Sequence, residues 1–380
     1  MFVIIVGAGP AGSSATYILS SAGMQVALLD KEVFPRDKLC GGLLSGRAIK
    51  IFKDIFNEDW KPIIDYVAYG VEFYYKEQFL NKIDNYNPIY FVQRKIFDSY
   101  LVKLAERNGV EFYQETPVFS LNEGESNIII NGGRKLYGDF IIGADGVNSK
   151  ISSVLFPNFF DKNKLAIGME INVIKEKIKR KIVLPEIYFG TVRWGYGWIF
   201  PKKDVITLGV GGLLAKNQNM KLLFLNFINQ ICGEIPDVQL RGHYIPFGNY
   251  KNVPGKNNIL LTGDAAGLVD PITGEGIALA MLSGKLAAES VLNAAKLGKP
   301  ENALELYKER YKIITKQLDQ ANLMRHLMFS KLSEKFFVKM VSRSEGLIKN
   351  HMDLLDDRID YKNYGNIVFK KAVSSFFKIF

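Results

Sequence analysis

Five consecutive apolar residues, Phe2–Val6, run straight into Gly7-Ala8-Gly9-Pro10-Ala11-Gly12. No other feature restricts the fold of this chain as much. An unbroken apolar run of that length predicts a strand buried on both faces, as in a parallel sheet. The glycines shape the connection after it. Gly7 permits a tight turn, Gly9 lets a pyrophosphate approach the main chain, and Gly12 lets the next helix lie close on the strand. That helix is read through Ser13 to about Ser21, and its N-terminal N–H groups and dipole favour an anion. Gly23 ends it, and Val26–Asp30 forms a second strand whose terminal Asp30 can accept hydrogen bonds from ribose hydroxyls. A plain strand-turn-helix connection is the bland alternative. The complete strand, helix, strand and terminal acid favour a dinucleotide.

One glycine fingerprint does not separate FAD from a nicotinamide dinucleotide. Two later segments point to FAD. Gly143-Ala144-Asp145-Gly146-Val147-Asn148-Ser149 follows the apolar strand Phe140–Ile142, and Thr262-Gly263-Asp264-Ala265-Ala266-Gly267 follows Ile259–Thr262. Each places a carboxylate at a strand end, where it can hold a ribityl or ribose hydroxyl. N–H groups of the helix after Asp264 can face the flavin pyrimidine edge, where negative charge accumulates on reduction. Either segment alone would read as ordinary strand-loop punctuation.

Between these motifs the pattern changes. Val67–Lys82 is aromatic-rich and alternating, Gln93–Asn108 is an amphipathic helix, Val110–Phe112 and Ser126–Ile130 are short strands, and residues 164–213 hold several antiparallel strands separated by turns. A small-residue helix spans about Gly274–Ala295, and 302–380 reads as helical. The fold class is therefore α/β, or α+β overall: a Rossmann-type FAD-binding domain interleaved with an antiparallel-sheet substrate domain, plus a helical C-terminal region. The expected limits are 1–60, 91–160 and 255–300 for the first, 61–90 and 161–254 for the second, and 301–380 for the third.

The 380 residues carry a net charge of +10, which favours anionic partners such as nucleotides or anionic lipid. Residues 301–380 hold 15 Lys and Arg against 10 Asp and Glu, about half of that excess. Basic residues lie scattered among apolar ones with no compact motif, so nucleic-acid binding is not expected. Two cysteines without Cys-x-x-Cys spacing and three scattered histidines argue against a metal site and for a reducing, cytoplasmic setting. With the first strand starting at Phe2 and no apolar run of about 18 residues, neither a targeting peptide nor a membrane span is expected. In the tail, Phe369, Val373, Phe376 and Phe380 share one helical face, with Phe377 beside it. Lys370, Lys371, Ser374, Ser375 and Lys378 take the other. That fits either peripheral contact with an anionic membrane or docking on the protein itself.

Together the glycine turn with Asp30, Gly143–Gly146 and Gly263-Asp264 resemble the flavoprotein hydroxylase-like superfamily with a glutathione-reductase-type FAD domain, over about residues 1–300. Val92-Gln93-Arg94 with Phe97-Asp98 and Leu101 is similar to that superfamily's Arg-bearing helix start. Two segments narrow the likeness to the geranylgeranyl reductase family of FAD-dependent oxidoreductases. Phe34-Pro35-Arg36-Asp37-Lys38-Leu39-Cys40-Gly41-Gly42 resembles the stretch passing beside the isoalloxazine, although Leu39 stands where members often have Pro. Tyr196-Gly197-Trp198-Ile199-Phe200-Pro201 resembles the family's Tyr-x-Trp-x-Phe-Pro signature, and Pro271, Gly274 and Gly276 its flavin-lining loop. The Cys40 stretch is closer to bacterial and plant-like members than to archaeal lipid reductases.

The resemblance implies a cofactor set of Gly7, Gly9, Pro10, Ala11, Gly12, Asp30, Lys31, Arg36, Cys40, Gly41, Gly42, Arg94, Val118, Asp145, Gly146, Gly263, Asp264, Gly274, Gly276 and Ile277. Cys40, Tyr196, Trp198 and Phe200 are the substrate-pocket candidates. The three aromatics alternate along a strand, so they share one face and can wall an apolar tunnel; a core aromatic stripe is the other reading. Glu275 and Asp270 fall near the expected ring position, and Cys232 reads as core. The implied activity is reduction of isoprenoid C=C bonds in a prenyl diphosphate, lipid or quinone, with hydride from flavin N5 and NAD(P)H or another reductant as donor. A flavin-dependent monooxygenase on an apolar substrate and an FAD-loaded peripheral electron-transfer protein are the alternatives. A monomer is expected. No proton donor is identified by the sequence.

Overall fold

The computed structural model describes residues 1–158, 161–237, 239–331 and 333–377, leaving aside the side chains of 162 and 372–377. Phe2–Val6 lies at the heart of a six-stranded sheet ordered Gly255–Lys256, Ile259–Leu261, Phe140–Gly143, Phe2–Val6, Gln25–Leu29, Glu111–Tyr113. All pairs are parallel except that between Gly255–Lys256 and Ile259–Leu261. Val3, Ile4, Ile5, Phe140, Ile141, Ile142 and Ile259 are fully buried because helices cover both faces. The first helix, Pro10–Ser21, begins earlier than the pattern predicts. Proline at the first helical position gives up an N–H that would have no helical partner.

The second large sheet has seven strands ordered Arg241–Ile245, Ala166–Ile174, Val205–Leu213, Gly195–Pro201, Glu186–Phe189, Val71–Tyr75, Gln78–Ile83. It departs from the expected antiparallel pattern once: Glu186–Phe189 runs parallel to Val71–Tyr75. The 66–91 stretch is also divided. Val71–Ile83 joins this sheet, whereas Tyr66–Ala68 and Ile89–Phe91 pair with Leu43–Leu44 in a small sheet.

Four C-terminal helices come next, Ala303–Phe329, Glu334–Arg343, Glu345–Leu355 and Tyr361–Phe377. The long first helix enters both cores. Tyr307, Tyr311, Ile314 and Leu318 pack on the parallel sheet, and Ala321, Met324, Met328 and Phe329 join the cluster containing Phe73, Phe189, Trp198 and Phe200. Tyr361–Phe377 docks on its own chain through buried Tyr361, Tyr364 and Val368, while Phe369 is 69% exposed. The rest of the tail face, Val373, Phe376 and Phe380, lies outside the described side chains and residues. Among the described residues one helix, Ile277–Lys296, is long and apolar enough to cross a membrane, and it is mostly buried between Pro10–Ser21 and Ala303–Phe329.

Candidate active site

A cavity of about 890 Å³ is lined by the parallel sheet's C-terminal ends, one face of the seven-stranded sheet, and the C-terminal helices. Its size is near the top of the range for small-molecule sites. Every residue assigned from sequence to the cofactor lines it except Gly12. A Cβ at Gly12 would lie 1.8 Å from the Gly7 carbonyl oxygen, so Gly12 closes the helix onto the turn and is screened from the cavity.

The three strand-end acids divide their work. Asp30 accepts the Ala8 N–H (2.8 Å) on one oxygen and the Glu32 N–H (3.0 Å) on the other, pinning the glycine turn while each oxygen keeps a lone pair. Asp145 also lines the cavity, and its carboxylate is engaged within its own loop as well. Its Oδ1 accepts from Ser149 Oγ (2.5 Å) and its Oδ2 from the Lys150 N–H (2.7 Å), so it serves the start of helix Lys150–Leu155. Burial pushes the Asp145 carboxyl up, and these hydrogen bonds pull it back. Asp264 faces the cavity and its carboxylate makes no hydrogen bond to any described residue.

Cations gather beside the turn. Arg94 sits at the start of helix Arg94–Glu106 and forks onto fully buried Asp98 through Nε (2.7 Å) and Nη2 (2.8 Å). Arg36 Nη2 reaches the same carboxylate at 3.1 Å, and Arg36 Nη1 is buried without a hydrogen-bond partner among the described residues. Two guanidiniums share Asp98, with Asp30 4.0 Å from Arg36 Nε, and an orphaned donor is left beside a glycine cradle. That set fits the pyrophosphate of FAD, and Asp264 fits a hydroxyl of its ribityl chain. Lys38 also enters the cavity. Its Nζ donates to His243 Nε2 (2.5 Å), while His243 Nδ1 faces the Tyr244 carbonyl (2.6 Å). Burial brings the Lys38 ammonium down to about 8 and lowers His243 as well.

Tyr196, Trp198 and Phe200 do share one face of their strand and line the cavity, with successive ring centroids 6.0 and 6.3 Å apart. They are at once wall and core, because Trp198 and Phe200 also belong to a buried cluster. The Trp198 indole lies flat on the neighbouring strand, where a Cβ at Gly209 would fall 2.2 Å from it, and its N–H has no partner. The Tyr196 hydroxyl donates to the Thr273 carbonyl, and burial raises its phenol. Cys40 is half-buried at this wall, its Sγ accepting the Gly42 N–H at 3.4 Å. Cys232 is buried in the separate core beneath the seven-stranded sheet.

Asp270–Gly276 forms a braced loop. Asp270 Oδ1 accepts the Ile272 and Thr273 N–H groups (2.8 and 2.9 Å), and Oδ2 accepts the Tyr361 hydroxyl (2.5 Å). Glu275 is bound by Ser45 and by Arg47 (3.4 Å); burial raises its carboxyl and Arg47 opposes the shift. Met328, Phe329, His351, Met352 and Leu355 complete the cavity from the C-terminal helices, a contribution the sequence did not indicate. Burial holds His351 down to about 4, so its ring is neutral at pH 7. Sequence reasoning named Asp98 only as part of the Arg94 helix start, and missed Glu170, Lys202 and Gly209. Lys202 alone carried a signal, as a charge directly after the aromatic strand. Among the described residues no group of His, Cys, Asp and Glu could hold a metal ion.

Comparisons with known proteins agree with this architecture. An FAD binding domain family matches residues 1–187. An uncharacterized protein of Methanosarcina barkeri is 32% identical over 78% of this chain and 76% of its own length. Digeranylgeranylglycerophospholipid reductase 2 of Methanosphaera stadtmanae is 30% identical over 78% of this chain and 79% of its own. A geranylgeranyl bacteriochlorophyll reductase-like protein from Thermoplasma acidophilum shares the fold with a TM-score of 0.72 at 21% identity, covering 93% of this chain and 89% of that one. A probable FAD-dependent monooxygenase from Pseudomonas aeruginosa shares it with a TM-score of 0.67 at 17% identity, covering 90% and 100%. With its glycine cradle, paired arginines and aromatic wall, and with relatives matched over most of its length, the chain belongs to the geranylgeranyl reductase family of FAD-dependent oxidoreductases.

Proposed function

We propose that this protein reduces carbon–carbon double bonds of an isoprenoid substrate. The observation that carries the reading is the cavity wall beyond the cofactor cradle. Tyr196, Trp198 and Phe200 continue into Phe73, Ile89, Ile187, Phe189, Met328 and Phe329, a surface for a long apolar chain. The reductase relative supports it. FAD, when bound, supplies the hydride for one alkene carbon, with two electrons drawn from NAD(P)H or another reductant. Arg36, Arg94 and the glycine turn bind the pyrophosphate, and Asp264 orients the ribityl chain. The aromatic wall excludes water and holds the alkene in register. The second hydrogen arrives as a proton, and Lys38, Cys40, Tyr196, His243 and His351 are among the cavity groups able to carry one. Glu275 is not, being committed to Arg47 and Ser45.

A second reading, a flavin-dependent monooxygenase on an apolar substrate, is supported by the shared fold with the Pseudomonas protein. One experiment separates the two. Purified protein is incubated with a prenyl diphosphate, a prenylated glycerophospholipid or a prenyl quinone plus reductant, with and without oxygen, and products are weighed by mass spectrometry. Double-bond reduction adds two hydrogens per bond and proceeds without oxygen. An oxygenated product formed only in air, with no saturated product under argon, would reverse the assignment. Exposed Phe369, followed by Lys370, supports contact of the last helix with an anionic membrane, tested by co-sedimentation of wild type and Phe369→Ser with anionic vesicles.

A further inference from the structure

We infer that Glu170 and Lys202 are positioning residues, two buried opposite charges that grip the peptides on either side of Cys40–Gly41 and leave that peptide free to hydrogen-bond the cofactor. The inference rests on FAD occupying the cavity and not on the nature of the substrate.

The stretch from Asp37 to Gly42 has no regular structure, and all of it lines the cavity. Its main chain is held at three places. The Cys40 N–H donates to Glu170 Oε1 (2.8 Å) from strand Ala166–Ile174. The Gly41 carbonyl accepts from Lys202 Nζ (2.7 Å), which also donates to the Val92 carbonyl (2.8 Å) and so ties the stretch to the segment leading into the Arg94 helix. The Gly42 carbonyl accepts the Val92 N–H (2.8 Å). Between the two charged grips lies one peptide unit, the Cys40 carbonyl with the Gly41 N–H. Neither group has a hydrogen-bond partner among the described residues. Gly41 lies flat against the aromatic wall, where a Cβ would meet the Phe200 ring at 2.7 Å. The free peptide thus has the wall behind it and the cavity before it.

Stability alone does not call for these charges. Lys202 is 4% exposed and has no carboxylate within ion-pair distance among the described residues. Among the described residues, its hydrogen-bond and ring partners are those two carbonyls and the Phe91 ring, 5.3 Å away. The second oxygen of Glu170 is buried and unpartnered. Groups like these are costly to bury, and an apolar residue of similar volume is often neutral or better for the fold. What they supply is direction. A carboxylate fixes a peptide through its N–H and an ammonium fixes one through its carbonyl, with charge-assisted bonds about twice as strong as neutral ones. The ligand chemistry implied is a planar heteroaromatic ring with donors and acceptors on its edge, as the flavin provides.

The test uses the full chain in apo and FAD-loaded forms, with Lys202→Met and Glu170→Gln. Three quantities are read without substrate: the FAD Kd by fluorescence titration, the midpoint potential of bound FAD, and the thermal midpoint of the apo-protein. For Lys202→Met we expect Kd to rise roughly tenfold, the potential to shift, and the apo midpoint to hold or increase. Glu170→Gln keeps an acceptor for the Cys40 N–H, so a smaller shift in the same sense is expected. An unchanged Kd and potential in Lys202→Met would overturn the inference. So would a Kd that rises only in proportion to lost apo stability, which marks an ordinary structural residue. If Lys202→Met does not fold, wild-type Kd and potential in Glu170→Gln overturn it instead. Because no substrate is present, failure here leaves the double-bond reading standing, and failure of that reading leaves this result unaffected.

Discussion

Asp30, Asp145 and Asp264 all end apolar strands, yet one pins a turn, one serves a helix and one faces the cavity with its carboxylate free. Substituting them should therefore give different phenotypes. Asp264→Ala should weaken FAD binding by roughly tenfold or more, with denaturation midpoints near wild type. Asp145→Ala should instead cost about 1–2 kcal/mol of stability through the lost cap, read by chemical denaturation. Lys202 offers a prediction in pH. Burial holds its ammonium down to about 8 from an ordinary 10.5. Between those values the unfolded chain keeps a proton that the folded chain has released. Folding stability from this group rises across that window and is lost as pH falls through about 8. Subtracting the denaturation curve of Lys202→Met isolates the slope, since Lys38 shifts in the same sense in both proteins. The wild type should gain on the variant as pH rises; a flat difference would contradict this.

At the scale of elements, the decisive contact is the crossing of helices Pro10–Ser21 and Ile277–Lys296. A Cβ at Gly284 would lie 2.2 Å from the Ala11 carbonyl oxygen. Helix propensity alone favours Gly284→Ala by about 1 kcal/mol. The clash is with backbone and cannot be relieved by a rotamer, so a net loss of about 1–3 kcal/mol is expected, measured by urea titration. The Rossmann strands and the Arg94 helix are readable because their periodicity is local. The second long helix starts about three residues later than its small-residue pattern predicts: Gly274 takes φ +71° and Gly276 sits at the cap, so Asp270–Gly276 is a loop and the helix begins at Ile277. The marks of that change are local: Pro271, Gly274 and Gly276 interrupt the small-residue pattern, and the Asp270 carboxylate folds back on the N–H groups two and three residues on.

For the whole molecule, the C-terminal helices are part of the site. Ala303–Phe329 spans both cores, and Tyr307 donates to the Leu261 carbonyl (2.9 Å) beneath the Asp264 loop. Arg47 joins Glu275 of that loop to the Leu354 carbonyl (3.2 Å) and Asp357 (3.7 Å). Tyr361→Phe deletes one hydroxyl, the one donated to Asp270. It should cost about 1.5–3 kcal/mol of stability and weaken FAD binding, checked by a thermal melt and a flavin titration on the same sample. A melt at wild-type temperature would show that the last helix does not brace the loop.

By itself the sequence determined the dinucleotide turn, the FAD-type trio of motifs and the aromatic face of Gly195–Pro201. Turn geometry and strand alternation are set by neighbouring residues, so they can be read along the chain. Only the tertiary structure decided which strand-end acid is free and that Gly12 is screened from the cavity. It also decided that Asp98 is shared by two arginines and that His351 and Met352 line a cavity built largely by residues 150 or more positions earlier. A side chain's remaining hydrogen-bond capacity depends on partners brought close by folding, and sequence spacing carries no record of them.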